Sequence, residues 1–360
     1  MKFLDLGKQW EPLIPDIMRE MRQDMLAGRF VGGPRIERLE AALAKYTGFD
    51  HCVAVGSGTV ALEAACTLLA RSYSDVHIPD LTFQATMYAA IRGGLTPYLM
   101  PATNPDVACL VDIPYGRLTI PVDLYGTPVD WEADTLHPLL VDGCQSLGAR
   151  VNGKRPGHTH KVWAYAVSFY PGKNLGSMGE GGALCTNDAE LAKYTRAFIN
   201  QGQTSKGKHR YLGCNGRMHA MQSIPLWHGL KMLDEWNARR REIATAYDAR
   251  LADNEMYKVL QIPDGRTPTR HVYPIFTYHR PSCVSKLEAA GIPYGHHYAE
   301  QLSDSARRIL SVSPWLEDDI NMPDEPRNSV FPEEVSLPIH PLMTEEDVST
   351  VCKALGVRDA

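Results

Sequence analysis

Between residues 52 and 199 the chain alternates short apolar runs with stretches of helical periodicity, and this alternation limits what it can fold into. CVAV (52–55) reads as a buried strand, SGT (57–59) as a turn and VALEAACTLLA (60–70) as a helix. The pattern continues through VHIP, a helical stretch from Phe83 to Arg92, LTPYLM (95–100), CLVDI (109–113) and LTIPVDLYG (118–126). PLLVD (138–142), AYAVSF (164–169) and GGALCT (181–186) predict further strands, and a helix follows from Ala189 to about Ile199. Strands this short and apolar need cover on both faces, so the expected class is α/β with a mainly parallel sheet. In such sheets ligands sit beyond the carboxyl ends of the strands. The polar residues just after each strand are therefore the ones to weigh.

The flanks read differently. From Pro12 to Ala27, Leu13, Ile17, Met18, Met21 and Met25 make one apolar helix face, stopped by Gly28. A second helix starts at Pro34, a residue suited to the first turn, and runs through Ile36, Leu39, Leu43 and Tyr46 to Gly48. Met218 to Leu251 is helical in pattern, with the basic run Arg239 to Arg241 expected on a solvated face. Beyond it, strands such as HVYPIFTYH mix with helices, ending in TEEDVSTVCKAL. The composition shift and the TPTR loop predict a large domain over 12–240 and a smaller C-terminal α+β domain over 241–360. The N-terminal segment 1–11 is expected to pack nearby.

A net charge of −5 gives no basic face for nucleic acid. No run approaches the ~20 apolar residues that cross a bilayer, and MKFLDLGKQWEPL lacks a secretory pattern. The eight cysteines form no C-x-x-C pair and several sit in apolar runs, which points to buried thiols rather than disulfides or a metal site. A cytoplasmic protein with small-molecule partners is expected, and no metal.

Three segments carry chemistry. SGT opens a helix directly after a strand, leaving backbone N–H groups for an anion, as any tight strand-to-helix turn does. In VDGCQSLGA (141–149), Asp142 ends an apolar strand, where a carboxylate has no packing role. It reads equally as a helix N-cap or turn residue, with Gln145 completing a capping box. In SFYPGKNLGSMGEGGALCTND (168–188), Lys173 follows Pro171 and Gly172 in a loop with glycines at 176, 179, 181 and 182. Such a loop brings backbone close to a ligand or another chain, although an isolated lysine is ordinarily just exposed.

Taken in order, SGT, Phe83, D-x-x-Q at 142–145, SFYPGKNLG at 168–176 and GCNGRM at 213–218 resemble the DegT/DnrJ/StrS group of pyridoxal-phosphate enzymes. These are sugar aminotransferases of the fold type I superfamily. VDLYGTPVD (122–130), RRREIATAYDARL (239–251), GHHY (295–298) and VSLPIHPLMTEEDV (335–348) extend the resemblance over essentially the whole chain. It implies a large domain with a mainly parallel seven-stranded sheet, a smaller C-terminal domain, and pyridoxal 5'-phosphate held as a Schiff base on Lys173. Lys173 would also move the proton between substrate carbon and cofactor. Asp142 would pair with the pyridine nitrogen, Gln145 with the ring 3-oxygen, and Phe83 would stack on the ring; without the resemblance, Phe83 reads as a core aromatic. Gly58, Thr59 and Ser168 would hold the phosphate. Asn215 would reach it from the neighbouring subunit of a homodimer, and Arg217, His297 and Tyr298 would shape the substrate side.

The implied reaction moves an amino group from glutamate or glutamine to a keto-sugar or keto-cyclitol, in secondary-metabolite or glycan assembly. A dehydrating or aromatising enzyme of the same family and a non-catalytic regulatory homologue are the alternatives. Lys173 speaks against dehydrating relatives that carry His at that position. Val141, Leu147, the GCNGR loop, Ala299 and the segment MPATNPDVA depart from common family patterns and leave the acceptor open.

Overall fold

The computed structural model describes residues 1–101, 113–252, 254–312, 320–321 and 333–357. A 3-10 turn, Glu11–Leu13, leads into α1 (Ile14–Leu26), and α2 (Pro34–Thr47) carries its proline in the first turn. Leu39 and Leu43 on α2 are fully buried, as the three-and-four spacing requires.

The central sheet is built from β1 (His51–Val55), β2 (Asp75–Pro79), β3 (Thr96–Met100), β4 (Leu139–Asp142), β5 (Val162–Ser168) and β6 (Gly182–Thr186). β3 pairs with β2 in parallel, and β4 with β5 in parallel. Parallel bridges His77↔Thr119 and Val122↔Asp142 insert the segment 119–122 between β2 and β4. Six strands and that segment make seven, in the order β3, β2, 119–122, β4, β5, β6, β1. β6 is antiparallel to both its neighbours, β5 and β1, so it alone runs against the rest. The mainly parallel seven-stranded sheet expected from the sequence is thus present.

Burial alternates along each strand between two cores. Val53, Val55, Leu140, Ala164, Ala166 and Leu184 face a core shared with α3 (Gly58–Leu69), α4 (Ala85–Gly93) and α5 (Ala189–Phe198). Cys52, Ala54, Val141, Tyr165, Val167 and Cys185 face the opposite one, covered by α2 and α6 (Ala220–Leu230). Burying both faces is why these strands carry almost no polar residue until their ends. It also buries the thiols of Cys52, Cys66 and Cys185, and the seven cysteines among the described residues are all free.

A third core gathers Ile243, Tyr247, Leu251, Tyr273, Ile275, Leu287, Val335, Leu337 and Val351, among others. It joins α7 (Leu233–Leu251) to β7 (Tyr273–Thr277), α8 (Arg280–Ala289), β8 (Glu333–Leu337) and α10 (Glu345–Ala354), with β7 and β8 antiparallel. Between α8 and β8 the chain returns to the first core. There α9 (Leu302–Val312) contributes Leu302 and Ala306, and Asn321 bonds the backbone of β3 on both sides.

Several expectations need correction. The helical stretch 218–251 is two helices, broken between Leu230 and Leu233. Of 118–126 only 119–122 is bridged into the sheet. Leu124–Gly126 then forms a 3-10 turn with Tyr125 at φ 59. A side chain on Gly126 would collide with the Thr269 hydroxyl and the Gln145 carbonyl, so this turn admits only glycine. Arg240 is not on a solvated face: it is 1% exposed and donates to the carbonyls of His271 and Ile339. Most of CLVDI (109–113) and of MPATNPDVA, and Cys109, lie outside the described residues. Among those described, no helix is long and apolar enough to cross a membrane.

Candidate active site

Because six of the seven strands run the same way, their carboxyl ends converge on one edge, and the chain delivers its polar residues there. β1 ends in Gly56 and Ser57, β4 in Asp142, β5 in Ser168, and segment 119–122 in Asp123. The reversed β6 begins at this edge, so the loop joining β5 to β6, which carries Lys173, lies there too.

Asp142 is 5% exposed. Its Oδ2 accepts from the Thr86 hydroxyl of α4 at 2.7 Å and its Oδ1 from the Cys144 amide at 3.2 Å. The second bond is the local turn contact that the sequence left open; the first is a long-range contact that fixes the carboxylate. No helix follows, so Gln145 completes no capping box. Its Oε1 accepts from the Tyr125 amide at 2.6 Å and its Nε2 donates to the Tyr298 hydroxyl at 2.7 Å.

Behind them lies a second acid. Asp123 is fully buried and accepts from Ser146 Oγ, the Val129 amide and Trp131 Nε1, at 2.6, 2.9 and 3.3 Å. Burial pushes its carboxyl up to about 7 against the pull of those three bonds.

At the start of α3 the Ser57 hydroxyl caps the helix by accepting from the Val60 amide, and the first-turn amides of Gly58 and Thr59 have no carbonyl one turn earlier to bond. A side chain on Gly58 would sit 2.6 Å from Cys144 Sγ and 3.0 Å from Ser168 Cβ. The helix start is therefore pressed against the ends of β4 and β5, which a larger residue would prevent. Burial lowers the proton affinity of the Lys173 amine, and the nearby Asp142 partly offsets it.

The opposite side comes from the loop 295–299 and the N-terminal segment. Tyr298 bonds Gln145, and its ring centroid lies 5.7 Å from that of Phe83. Phe83 is 56% exposed at this edge, which removes the core-aromatic reading. His297 stacks on Phe3 at 6.3 Å and lies close enough to Lys173 to feel its charge. Burial, first, and that charge push the imidazole down to about 4. The Nδ1 of buried His271 shares a hydrogen bond with Asn174, which follows Lys173.

Asp142, Gln145, Ser168, Lys173, Gly58, Phe83, His297 and Tyr298 therefore border one region. Asn215 and Arg217 do not point into it. Their side chains are exposed, bonded to each other at 2.9 Å, and Arg217 also to Asn200 at 2.8 Å. Their backbone nevertheless runs beside the end of β1 through the bridge Val55↔Arg217. The sequence reading missed Thr86, Asp123 and Tyr125. None of the three carried a signal of its own, since their contacts with Asp142, Ser146 and Gln145 arise only in the fold.

A model of the DegT/DnrJ/EryC1/StrS aminotransferase family matches residues 13–356. The chain belongs to this family. Among relatives in the family, a dTDP-3-amino-3,4,6-trideoxy-alpha-D-glucose transaminase of Streptomyces venezuelae is 35% identical over 310 residues, covering 82% of this chain and 81% of the relative. The erythromycin biosynthesis sensory transduction protein EryC1 of Saccharopolyspora erythraea is 33% identical, covering 98% of each. The crystal structure of Streptomyces venezuelae DesV has a TM-score of 0.85 at 31% identity, covering 98% of this chain and 97% of that one. The protein is accordingly a fold type I aminotransferase, and its cofactor is pyridoxal 5'-phosphate.

The residues present fit that cofactor. A buried carboxylate bonded only by a neutral hydroxyl and an amide suits a cationic ring nitrogen. A lysine of lowered proton affinity suits covalent attachment to an aldehyde, and the crowded start of α3 suits an anionic phosphate.

Proposed function

We propose that this chain transfers the amino group of glutamate or glutamine to a keto-sugar or keto-cyclitol, in antibiotic, other secondary-metabolite or glycan biosynthesis. The observation that carries the reading is the Lys173 amine in the strand-end loop, its proton affinity lowered by burial and within reach of the charge of the buried Asp142. The nucleotide-sugar transaminase among the relatives supports a sugar acceptor.

The cofactor, when bound, supplies an electron sink for the carbanion formed on the substrate carbon. Asp142 holds the ring nitrogen protonated, with Thr86 fixing its carboxylate. Gln145 and Phe83 would hold the ring, and the Gly58 and Thr59 amides with the Ser168 hydroxyl would hold the phosphate. Lys173 Nζ would be the attachment point and, as a neutral amine, would take the proton from the substrate carbon. His297 and Tyr298 would orient the acceptor, whereas Arg217, turned away to Asn200 and Asn215, would not within its own subunit.

The active unit is a homodimer in which Asn215 reaches the partner's phosphate site. Adjacent Phe30 and Val31, both exposed and with Val31 bridged to His219, support a contact near this segment. The chain divides into a large domain, 12–240, and a small one, 241–360, supported by the separate third core, with Leu302, Ala306 and Ile320 returning to the core of the large domain. Seven free thiols support a cytoplasmic location.

Purified holoenzyme is expected to absorb as a yellow species that glutamate or glutamine bleaches and a keto-sugar restores. Borohydride reduction followed by peptide mapping is expected to label Lys173, and Lys173→Ala to take no label. Colour that answers neither donor favours a regulatory homologue, and a product without new nitrogen favours elimination.

A further inference from the structure

β8 exposes alternate residues to the active-site side, and two of these, Glu334 and Ser336, are polar and buried. The His297 amide donates to Glu334 Oε2 at 2.7 Å, and His297 Nδ1 shares a hydrogen bond with Ser336 Oγ at 2.9 Å. The Ser336 hydroxyl in turn bonds Glu334 Oε1. An unbroken chain of hydrogen bonds thus runs from a buried carboxyl, through a hydroxyl, to an imidazole close enough to Lys173 to feel its charge. Neither Glu334 nor Ser336 has a packing reason to be polar here.

We propose that Glu334, Ser336 and His297 form a proton relay that serves the site of Lys173, with Glu334 as the proton store. The inference rests on the aminotransferase reading. With Glu334 ionised, Ser336 donates to it, His297 Nδ1–H donates to Ser336, and Nε2 is left as an acceptor. A proton arriving at Nε2 releases the Nδ1 proton to Ser336 Oγ, and the serine proton passes to Glu334 Oε1. The bonds made and broken are N–H and O–H alone, and the carboxylate ends neutral. The reverse sequence returns the proton. Throughout, Glu334 Oε2 still accepts the His297 amide, so the loop keeps its place.

The charges around the relay favour this direction of storage. Burial pushes the Glu334 carboxyl up to about 7, against the pull of Ser336, the His297 amide and Arg280. His297 is held down by burial, Lys173 and His296, so it passes the proton through its tautomers and does not keep it. Tyr298, whose hydroxyl burial raises, also faces Glu334, whereas Arg280 is engaged by Glu333 at 2.8 Å. Glu334 is therefore the group on this side that exchanges a proton near neutrality.

The test is 15N NMR of histidine-labelled holoenzyme from pH 5.5 to 8.5, a window of about 1.5 units either side of the Glu334 value, with His297→Gln to assign the signal. In the wild type His297 is expected to carry its proton on Nδ1 above about pH 7 and on Nε2 below it. Glu334→Gln, whose amide must donate to Ser336, is expected to hold the Nε2–H form at every pH. It should also erase the limb of the kcat profile centred in that range while borohydride still labels Lys173. Ser336→Ala, which keeps the carboxyl and its amide contact, is expected to abolish the switch as well, and Ser336→Thr to restore it. A wild-type His297 that keeps one tautomer throughout, or a Glu334→Gln enzyme that switches like the wild type, overturns the relay. If the wild type switches but neither donor bleaches the cofactor, the relay stands as a proton path and the aminotransferase reading fails.

Discussion

The two sides of the active site are held in different ways. On the strand-end side, Asp142, Ser168 and the Ser57–Gly58 turn are continuous with the sheet, and the ladder of backbone bonds fixes where each side chain begins. On the other, His297 and Tyr298 sit in a loop held by side-chain bonds to Glu334, Ser336 and Gln145 and by stacking on Phe3. A sheet edge cannot shift one residue without moving its neighbours, whereas a loop tied by a few polar contacts can be retuned singly. The strand-end side is thus suited to an invariant cofactor, and the loop side to an acceptor that differs among relatives.

The largest break in this comparison is expected from Asp142→Asn, which keeps the shape and removes the charge. It should lower kcat about 10²-fold or more, on the scale of losing one preorganised electrostatic partner, while Lys173 remains trappable by borohydride. A kcat within a few fold of wild type would mean that the carboxylate is structural.

A smaller effect is expected on the loop side. Tyr298→Phe leaves Gln145 Nε2 without its acceptor, a cost of about 1–3 kcal/mol. That loss should fall mainly on KM for the keto acceptor and leave the glutamate half-reaction nearly unchanged. Equal losses in both half-reactions would erase the distinction between the two sides.

The smallest effect on turnover is expected from Asp123→Asn, which probes the support behind the strand ends. The folded state raises this carboxyl from 3.8 to about 7 and so binds its proton more tightly than the unfolded chain. The stability it contributes is full below about pH 4, declines as pH rises to about 7 and is level above. Asparagine does not titrate, so the variant's unfolding free energy relative to wild type should rise across that window by a few kcal/mol, at about 1.36 kcal/mol per unit. Denaturant unfolding at pH 4.5 and 7.5 reads this difference, and a pH-independent difference would show that Asp123 folds with an ordinary carboxyl.

The strand-end side was also the more legible in sequence. Strands buried on both faces announce themselves as apolar runs, so the first polar residue after each, such as Asp142 or Ser168, stands out by position alone. Lys173 stood out through the glycines around it. Nothing in 118–126 signalled that the strand stops at Val122, because the Tyr125 turn is imposed by Thr269, far along the chain. Thr86 and Asp123 were invisible as partners since their bonds to Asp142 and Ser146 depend on the fold. Arg240 was misread because its neighbours Arg239 and Arg241 look like a solvated face, and one helical position is 100° of rotation from the next. The pair Glu334 and Ser336 had a faint signal, two polar residues at period two in a run that otherwise reads as a buried strand.

Arg240 also bears on how the acceptor enters. It sits on the helix that gives Leu233 and Trp236 to the sheet's second core and Ile243 to the third, and it is gripped by carbonyls of His271 and Ile339. Burial brings this guanidinium down to about 10, so it is still a cation at neutral pH, and among the described residues no carboxylate pairs with it. A hinge opening across this helix would break its two charged hydrogen bonds to those carbonyls, about 1.5–3 kcal/mol each before water replaces them. Bending at this helix is thus opposed by its own buried cation, and the acceptor is expected to reach Lys173 without it.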